Sequence, residues 1–205
     1  MNEIYNSEYT NYQTNRNRFR RWVRQAYISK ASSLVNGPTL DFGCGIGELL
    51  TRLPSGSMGL EYNKTTVSYC DAQGLDVVFY NGFEDDWCLS SVPKGRKFES
   101  MVISHVLEHL EEPEKILPKL LVTLKSFGIG TVLVIIPGKA GFKSDLTHRK
   151  FVDINMLKEV VSRVSDWNIK SMEYYPFNIE QIGNFFIYNE LQVVLERESV
   201  HSTLS

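Results

Sequence analysis

The chain has 205 residues, 42% of them hydrophobic and 22% charged, with a formal net charge of -2. That length supports one sizeable core, and the near-balanced charge excludes the global basic field by which a protein grips nucleic acid or an anionic membrane. The three cysteines, Cys44, Cys70 and Cys88, have no metal-ligand spacing and predict reduced thiols in a cytoplasmic protein, with no secretory leader and no apolar run long enough to span a bilayer.

Phe19, Val23, Ala26, Tyr27 and Leu34 recur at helical spacing and predict an amphipathic helix that stops near Asn36-Gly37-Pro38. Arg16, Arg18, Arg20, Arg21, Arg24 and Lys30 crowd this stretch against only Glu3 and Glu8. Those cations form either a solvated face or a lid over a ligand at the edge of a sheet. Residues 39–42 then read as a strand, and Gly43, Gly45 and Gly47 as a tight turn against which a ligand lies.

A helix is expected at 48–53, broken by Pro54, followed by a strand at 58–61, a helix at 65–72 and a strand at 76–80. A fourth strand at 98–104 leads to a helix opened by Pro113 and ended by Gly128, with Leu117, Leu120, Leu121 and Leu124 on its buried face. Pro118 is expected to kink that helix or delay its start. Residues 131–136 are apolar without alternation, as in a central strand buried on both faces. A polar loop at 139–148 precedes a helix marked by Leu157, Val160, Val161 and Val164. Strands at 167–174 and 191–196 flank an aromatic insertion at about 174–189. The chain is expected to be one domain over 1–205, with a helical cap at 1–37 on a core at 38–205. Alternating strands and helices imply a doubly wound α/β sheet that binds ligands at the carboxyl ends of its strands.

Glu61 ends the second strand about 20 residues after Asp41, where an acid accepts hydrogen bonds from a ribose diol. A dinucleotide site would carry a third glycine at position 48, but Glu48 stands there and would repel a pyrophosphate. The expected ligand is therefore adenosine-like.

Leu40-Asp41-Phe42-Gly43-Cys44-Gly45-Ile46-Gly47 resembles motif I of the class I S-adenosylmethionine-dependent methyltransferases. Val102-Ile103-Ser104-His105-Val106-Leu107-Glu108-His109-Leu110 resembles the segment after that family's fourth strand, in a branch typical of small-molecule, quinone and glycan-modifying members. The similarity runs from about residue 39 to 136, and more weakly through His148 and Phe151. It implies a Rossmann-like doubly wound seven-stranded sheet, mostly parallel with an antiparallel last strand and helices on both faces. It also implies S-adenosyl-L-methionine as cofactor, held by Asp41, Gly43, Cys44, Gly45, Gly47, Glu61, Tyr62, Ser104 and His105. Many members have an acid directly after the glycine that follows the third strand, to bind the adenine amino group. Here Gly82 is followed by Phe83, which leaves Glu84 or Asp85 on a shifted loop, or Phe83 itself packed on the purine.

Methyl transfer from a sulfonium is an in-line displacement, so the protein must align donor and acceptor and exclude water. A hydroxyl acceptor also needs its proton removed, for which His105, His109 and His148 are the candidate catalytic residues; Glu108 and His109 could instead fix their loop through backbone hydrogen bonds. His105-x-x-Glu108-His109 and His148-Arg149-Lys150-Phe151 also resemble the metal-binding segments of small-RNA 2'-O-methyltransferases, with His105 in place of a carboxylate. That resemblance implies a divalent ion at His105, Glu108, His109 and His148, and so many imidazoles suit a transition metal. The primary expectation carries no metal: O-methylation of a small-molecule or glycan-like acceptor, without nucleic acid. The alternatives are a metal-dependent RNA 2'-O-methyltransferase and a catalytically silent binding protein on the same fold. The aromatic insertion either closes the core edge, or contacts a sugar, a planar ring or a second subunit of a homodimer.

Overall fold

The computed structural model describes residues 18–198. Arg16, Glu3, Glu8 and His201 lie outside the described residues, as do the side chains of Phe19, Arg20, Arg21 and Val23. The first helix, α1 (Arg18–Ser32), is followed by strand β1 (Thr39–Phe42), a 3-10 turn (Leu50–Arg52), β2 (Met58–Glu61), α2 (Lys64–Ala72), β3 (Val77–Phe79) and β4 (Ser100–Ser104). Then come a 3-10 turn (Leu107–His109), α3 (Pro113–Thr123), β5 (Thr131–Pro137), a short α4 (Lys139–Lys143), α5 (Ile154–Ser162), β6 (Trp167–Tyr175) and β7 (Glu190–Arg197).

The strands form one sheet in the order β3-β2-β1-β4-β5-β7-β6. β1 to β5 pair in parallel, and β7 runs antiparallel to both β5 and β6. From β1 the chain first builds outward through β2 and β3, then returns to add β4 on the other side. The switch point therefore lies between β1 and β4, at their carboxyl ends.

Side chains alternate across the buried strands, so each face of the sheet carries its own core. Met101, Ile103, Val132 and Val134 face a large cluster with Leu117, Leu120 and Leu121 of α3 and Leu157 and Val160 of α5. Val102, Leu133 and Ile135 face the opposite side, under Ile28 and Ala31 of α1. That packing brings the next turn of α1 back toward the carboxyl edge, which delivers Arg24 and Tyr27 there.

The helix expected at 48–53 is only the 3-10 turn Leu50–Arg52. Gly47 is fixed at φ 75° on one side and Pro54 stands on the other, leaving too few residues to repay helix nucleation. Pro118 lies within α3 without ending it, and the polar loop at 139–148 begins with α4, which sequence periodicity was too short to reveal. Asn63 caps α2 by accepting from the amides of Thr65 and Thr66 at 2.9 and 3.4 Å, and Asp153 caps α5 through Met156.

Candidate active site

At the switch point β1 is followed by Gly43, whose amide donates to the Leu60 carbonyl at 2.8 Å. Gly43 has φ 74°, and a Cβ there would lie 2.4 Å from Cγ2 of Val106 in the turn after β4. Only glycine lets the two turns touch. Beyond it the Gly45 amide donates to Oε2 of Glu61 at 2.8 Å, while Oε1 of Glu61 accepts from the Asn63 amide at 2.8 Å. Glu61 thus braces the glycine turn against β2. Burial raises its carboxyl above the usual range, against the pull of the amides of Asn63, Gly45 and Tyr62.

These turns open onto a cavity of about 480 Å³, within the size range of ligand sites. Gly43, Cys44, Gly45, Glu61, Tyr62, Phe83, Ser104, His105, His109 and His148 line it, whereas Gly47 and Glu84 do not. Gly47 turns beneath the loop, and Glu84 accepts from the Asn81 amide group at 2.7 Å. Asp85 is also engaged, with Tyr80 at 2.7 Å and the amides of Trp87 and Ser90. Phe83 is instead set edge-on to Trp87, with ring centroids 5.0 Å apart, and both rings face the cavity.

Asp41 lines a smaller cavity of about 50 Å³ beside the first, together with Arg24, Tyr27, Ser104 and Glu190. Its Oδ2 is buried without a hydrogen-bond partner among the described residues. Burial pushes this carboxyl up to about 7, with Arg24 pulling it down and Glu61 adding to the rise. Arg24 lines both cavities and pairs through Nε with Glu48 at 3.0 Å. Among the described cations of the N-terminal stretch, Arg24 reaches the site and Lys30 pairs with Glu173 of β6.

The three candidate histidines are held in different ways. His105 has φ 55° and sits between two carboxylates, with Nδ1 3.1 Å from Glu108 Oε1 and Nε2 3.0 Å from Glu190 Oε2. Carboxylates only accept, so both ring nitrogens carry protons and the ring is an imidazolium. Burial opposes that charge, but Glu108 and Glu190 outweigh it and push the ring up to about 10. Its folded value therefore exceeds the unfolded value of about 6.5, so its stabilisation is full below that pH and is lost as pH rises through about 10. Melting temperatures from about pH 6 to about pH 10 should fall more steeply for the parent chain than for His105→Gln; equal slopes would refute the ion pair.

His148 donates from Nδ1 to the Phe142 carbonyl at 2.8 Å. Thr147 gives its hydroxyl proton to Asp145 at 2.6 Å, so its oxygen accepts from His109 Nδ1 at 3.1 Å. In the neutral form each ring therefore carries its lone pair on Nε2. Burial lowers the His109 pKa, with Glu108 opposing and His148 adding to the shift. The Glu108 carbonyl accepts from the amides of Arg149 and Lys150 at 2.7 and 3.2 Å, so the Glu108-His109 turn carries the loop that brings in His148. Glu108 is 1% exposed and its Oε2 has no hydrogen-bond partner among the described residues. Donor atoms of Glu108, His109 and His148 lie within 4.8 Å of one another, while His105 is taken up by its two carboxylates.

The sequence did not point to Arg24 as a lining residue in particular, nor to Trp87, Leu110, Asp145, Ile187 or Tyr188. Ile187 and Tyr188 end the aromatic insertion, and Tyr27 ties that end to α1 by donating to the Tyr188 carbonyl at 2.8 Å. Phe177, Ile179 and Phe185 of the same insertion remain exposed.

Residues 25–133 match the family described as methionine biosynthesis protein MetW. No curated protein matches the sequence significantly. A solved methyltransferase from Archaeoglobus fulgidus is similar at 20% identity and TM-score 0.65, covering 86% of this chain and 94% of that one. A TehB-like methyltransferase from Corynebacterium glutamicum gives 16% identity, TM-score 0.59, and coverage of 94% and 100%. The magnesium protoporphyrin IX methyltransferase of Synechocystis, solved with bound S-adenosylmethionine, gives 14% identity, TM-score 0.53, and coverage of 84% and 76%.

Proposed function

Because the chain belongs to the MetW family and has the class I S-adenosylmethionine-dependent methyltransferase fold, we propose that it transfers the methyl group of S-adenosylmethionine to a small-molecule or glycan-like hydroxyl. The observation that carries this reading is the glycine turn braced by Glu61 at the mouth of the 480 Å³ cavity. The Glu61 oxygens hold the amides of the turn, and a further lone pair faces a ribose diol. Phe83, backed edge-on by the buried Trp87, packs on the adenine in place of the acid that many members use. The amino-acid tail of the donor reaches the smaller cavity, where its ammonium meets the unpartnered Asp41 and its carboxylate meets Arg24.

The bound donor supplies an electrophilic methyl on a sulfonium. The chain holds the acceptor oxygen in line with that methyl, keeps water out, and takes the hydroxyl proton on Nε2 of His148 or His109. His105, with neither nitrogen free, is assigned to orienting Glu108 and Glu190 rather than to proton transfer. Titration calorimetry tests the first step: S-adenosylmethionine and S-adenosylhomocysteine should bind with micromolar affinity and NAD should give no heat. Heat from NAD alone would sink the proposal.

A second, metal-dependent reading is favoured by one observation, the buried Glu108 carboxylate, whose Oε2 lacks a partner among the described residues, in a group with His109 and His148 whose donor atoms lie within 4.8 Å of one another. A buried oxygen without a partner costs about 1–3 kcal/mol, which an ion would offset. The donor set fits a transition metal after a small inward movement, with Nδ1 of each histidine already fixed by a carbonyl or a hydroxyl. Such an ion would supply Lewis-acid activation of a hydroxyl acceptor, including a ribose 2'-OH. On this reading, elemental analysis finds one bound transition metal in the parent chain and little in Glu108→Gln. Turnover that survives chelation with no metal in the preparation would eliminate it.

A further inference from the structure

Beneath the glycine turn two thiols meet. Cys44, within the turn, and Cys70, on the inner side of α2, both point their thiols at the Gly45 carbonyl. Their sulfurs lie 3.6 and 3.4 Å from the same acceptor, the Gly45 carbonyl oxygen. Cys44 lines the large cavity, whereas Cys70 is fully buried behind it. We propose that Cys44 and Cys70 are an oxidisable dithiol, a modification site that a peroxide converts to a disulfide and that thereby loosens the turn's hold on its nucleoside ligand.

The geometry assigns each sulfur a step. Cys44 meets the oxidant, because it is the sulfur that faces the cavity. It attacks one peroxide oxygen, the O–O bond breaks, water leaves, and Cys44 becomes a sulfenic acid. Cys70 then attacks the Cys44 sulfur, the S–O bond breaks, and hydroxide leaves as a second water with the Cys70 proton. The two thiols supply the two electrons that reduce the peroxide. Their contact lowers the pKa of Cys70, which suits it to attack as thiolate in the second step, and raises that of Cys44, which slows the first step.

Packing directs the sulfenic acid toward Cys70 rather than to further oxidation. The Cys44 sulfur lies so close to β2 that a Cβ on Gly59 would be 2.5 Å from it, leaving no room on that side for the added oxygens of a sulfinic acid. Closing the bond to about 2.05 Å draws Cys44 toward α2 and removes the thiol donors from the Gly45 carbonyl. The Gly45 amide is held by Glu61 on the opposite side, so the turn is displaced against its own brace.

The link to ligand affinity rests on the donor site proposed above, whereas disulfide formation does not. The test uses Cys88→Ser, which removes the exposed third thiol. After hydrogen peroxide and digestion without reductant, peptides bearing Cys44 and Cys70 should be joined, and dithiothreitol should part them. Affinity for S-adenosylhomocysteine should fall about tenfold or more, as expected for one strained backbone position, and recover with dithiothreitol. Further replacing Cys70 by Ser, or Cys44 by Ala, should leave the affinity insensitive to peroxide. Unlinked peptides in protein whose Cys44 has been oxidised would overturn the dithiol, and linked peptides with unchanged affinity would overturn its control of binding. If the reduced protein fails to bind S-adenosylhomocysteine, the donor reading falls, and the peptide map still decides the dithiol.

Discussion

Glu61→Ala is expected to weaken S-adenosylhomocysteine binding by about 3 kcal/mol, on the order of a hundredfold. Two losses combine. The ribose loses its acceptor, and the turn loses its brace, because Glu61 accepts from Gly45 with one oxygen and from Asn63 with the other, each at 2.8 Å. Removing the side chain strands both amides at a buried position, where each unsatisfied donor costs about 1–3 kcal/mol. Glu61→Gln separates the contributions only in part, since its amide group must present N–H to one of two N–H donors. It should therefore resemble the Ala variant more than the parent. Titration calorimetry and a melting curve on both variants check this, and an affinity loss below about threefold would remove Glu61 from the donor site.

Features set by neighbouring residues could be read from the sequence. β1 and β2 fall where short β-forming runs end in glycine or a polar turn, and their alternation with helices leads to the switch point at Gly43. The expected antiparallel last strand is β7, which follows from its pairing with β5. The helix expected at 48–53 failed because its length was the deciding quantity, and two flanking residues consumed it. Distance along the chain explains what else was hidden. His105 looks like a free base in sequence, but Glu190, 85 residues away, occupies its second nitrogen. Trp87 reaches the cavity from a loop in which Asp86, Trp87 and Leu89 all have positive φ, a path that no periodic pattern encodes. Arg24 is one of several arginines in the sequence, and the packing of Ile28 and Ala31 one turn on is what brings it to the site.

His148→Ala should lower turnover by about 10²–10⁴-fold while leaving S-adenosylhomocysteine affinity within about threefold, the signature of a group that acts on the acceptor proton. Turnover is read as release of S-adenosylhomocysteine over a panel of hydroxylated small molecules. The argument rests on the tautomer. Nδ1 of His148 is committed to the Phe142 carbonyl at 2.8 Å, which leaves Nε2 as the acceptor, 3.9 Å from Glu108 Oε1. The ring also stacks on Phe142 with centroids 5.3 Å apart, so its orientation does not depend on ligand. His109 stands 4.7 Å away, centroid to centroid, with the same free nitrogen. Burial depresses its pKa, so it stays neutral at pH 7 and becomes charged only below the usual imidazole range of about 6.5. A positive charge there would repel the one that His148 gains with the acceptor proton, so activity should fall as pH drops below that range. In His109→Gln the acid limb should lose this contribution while turnover persists. If instead His109→Gln abolishes turnover and His148→Ala retains it, the two histidines exchange roles, and the proton leaves through the Thr147 side of the pair.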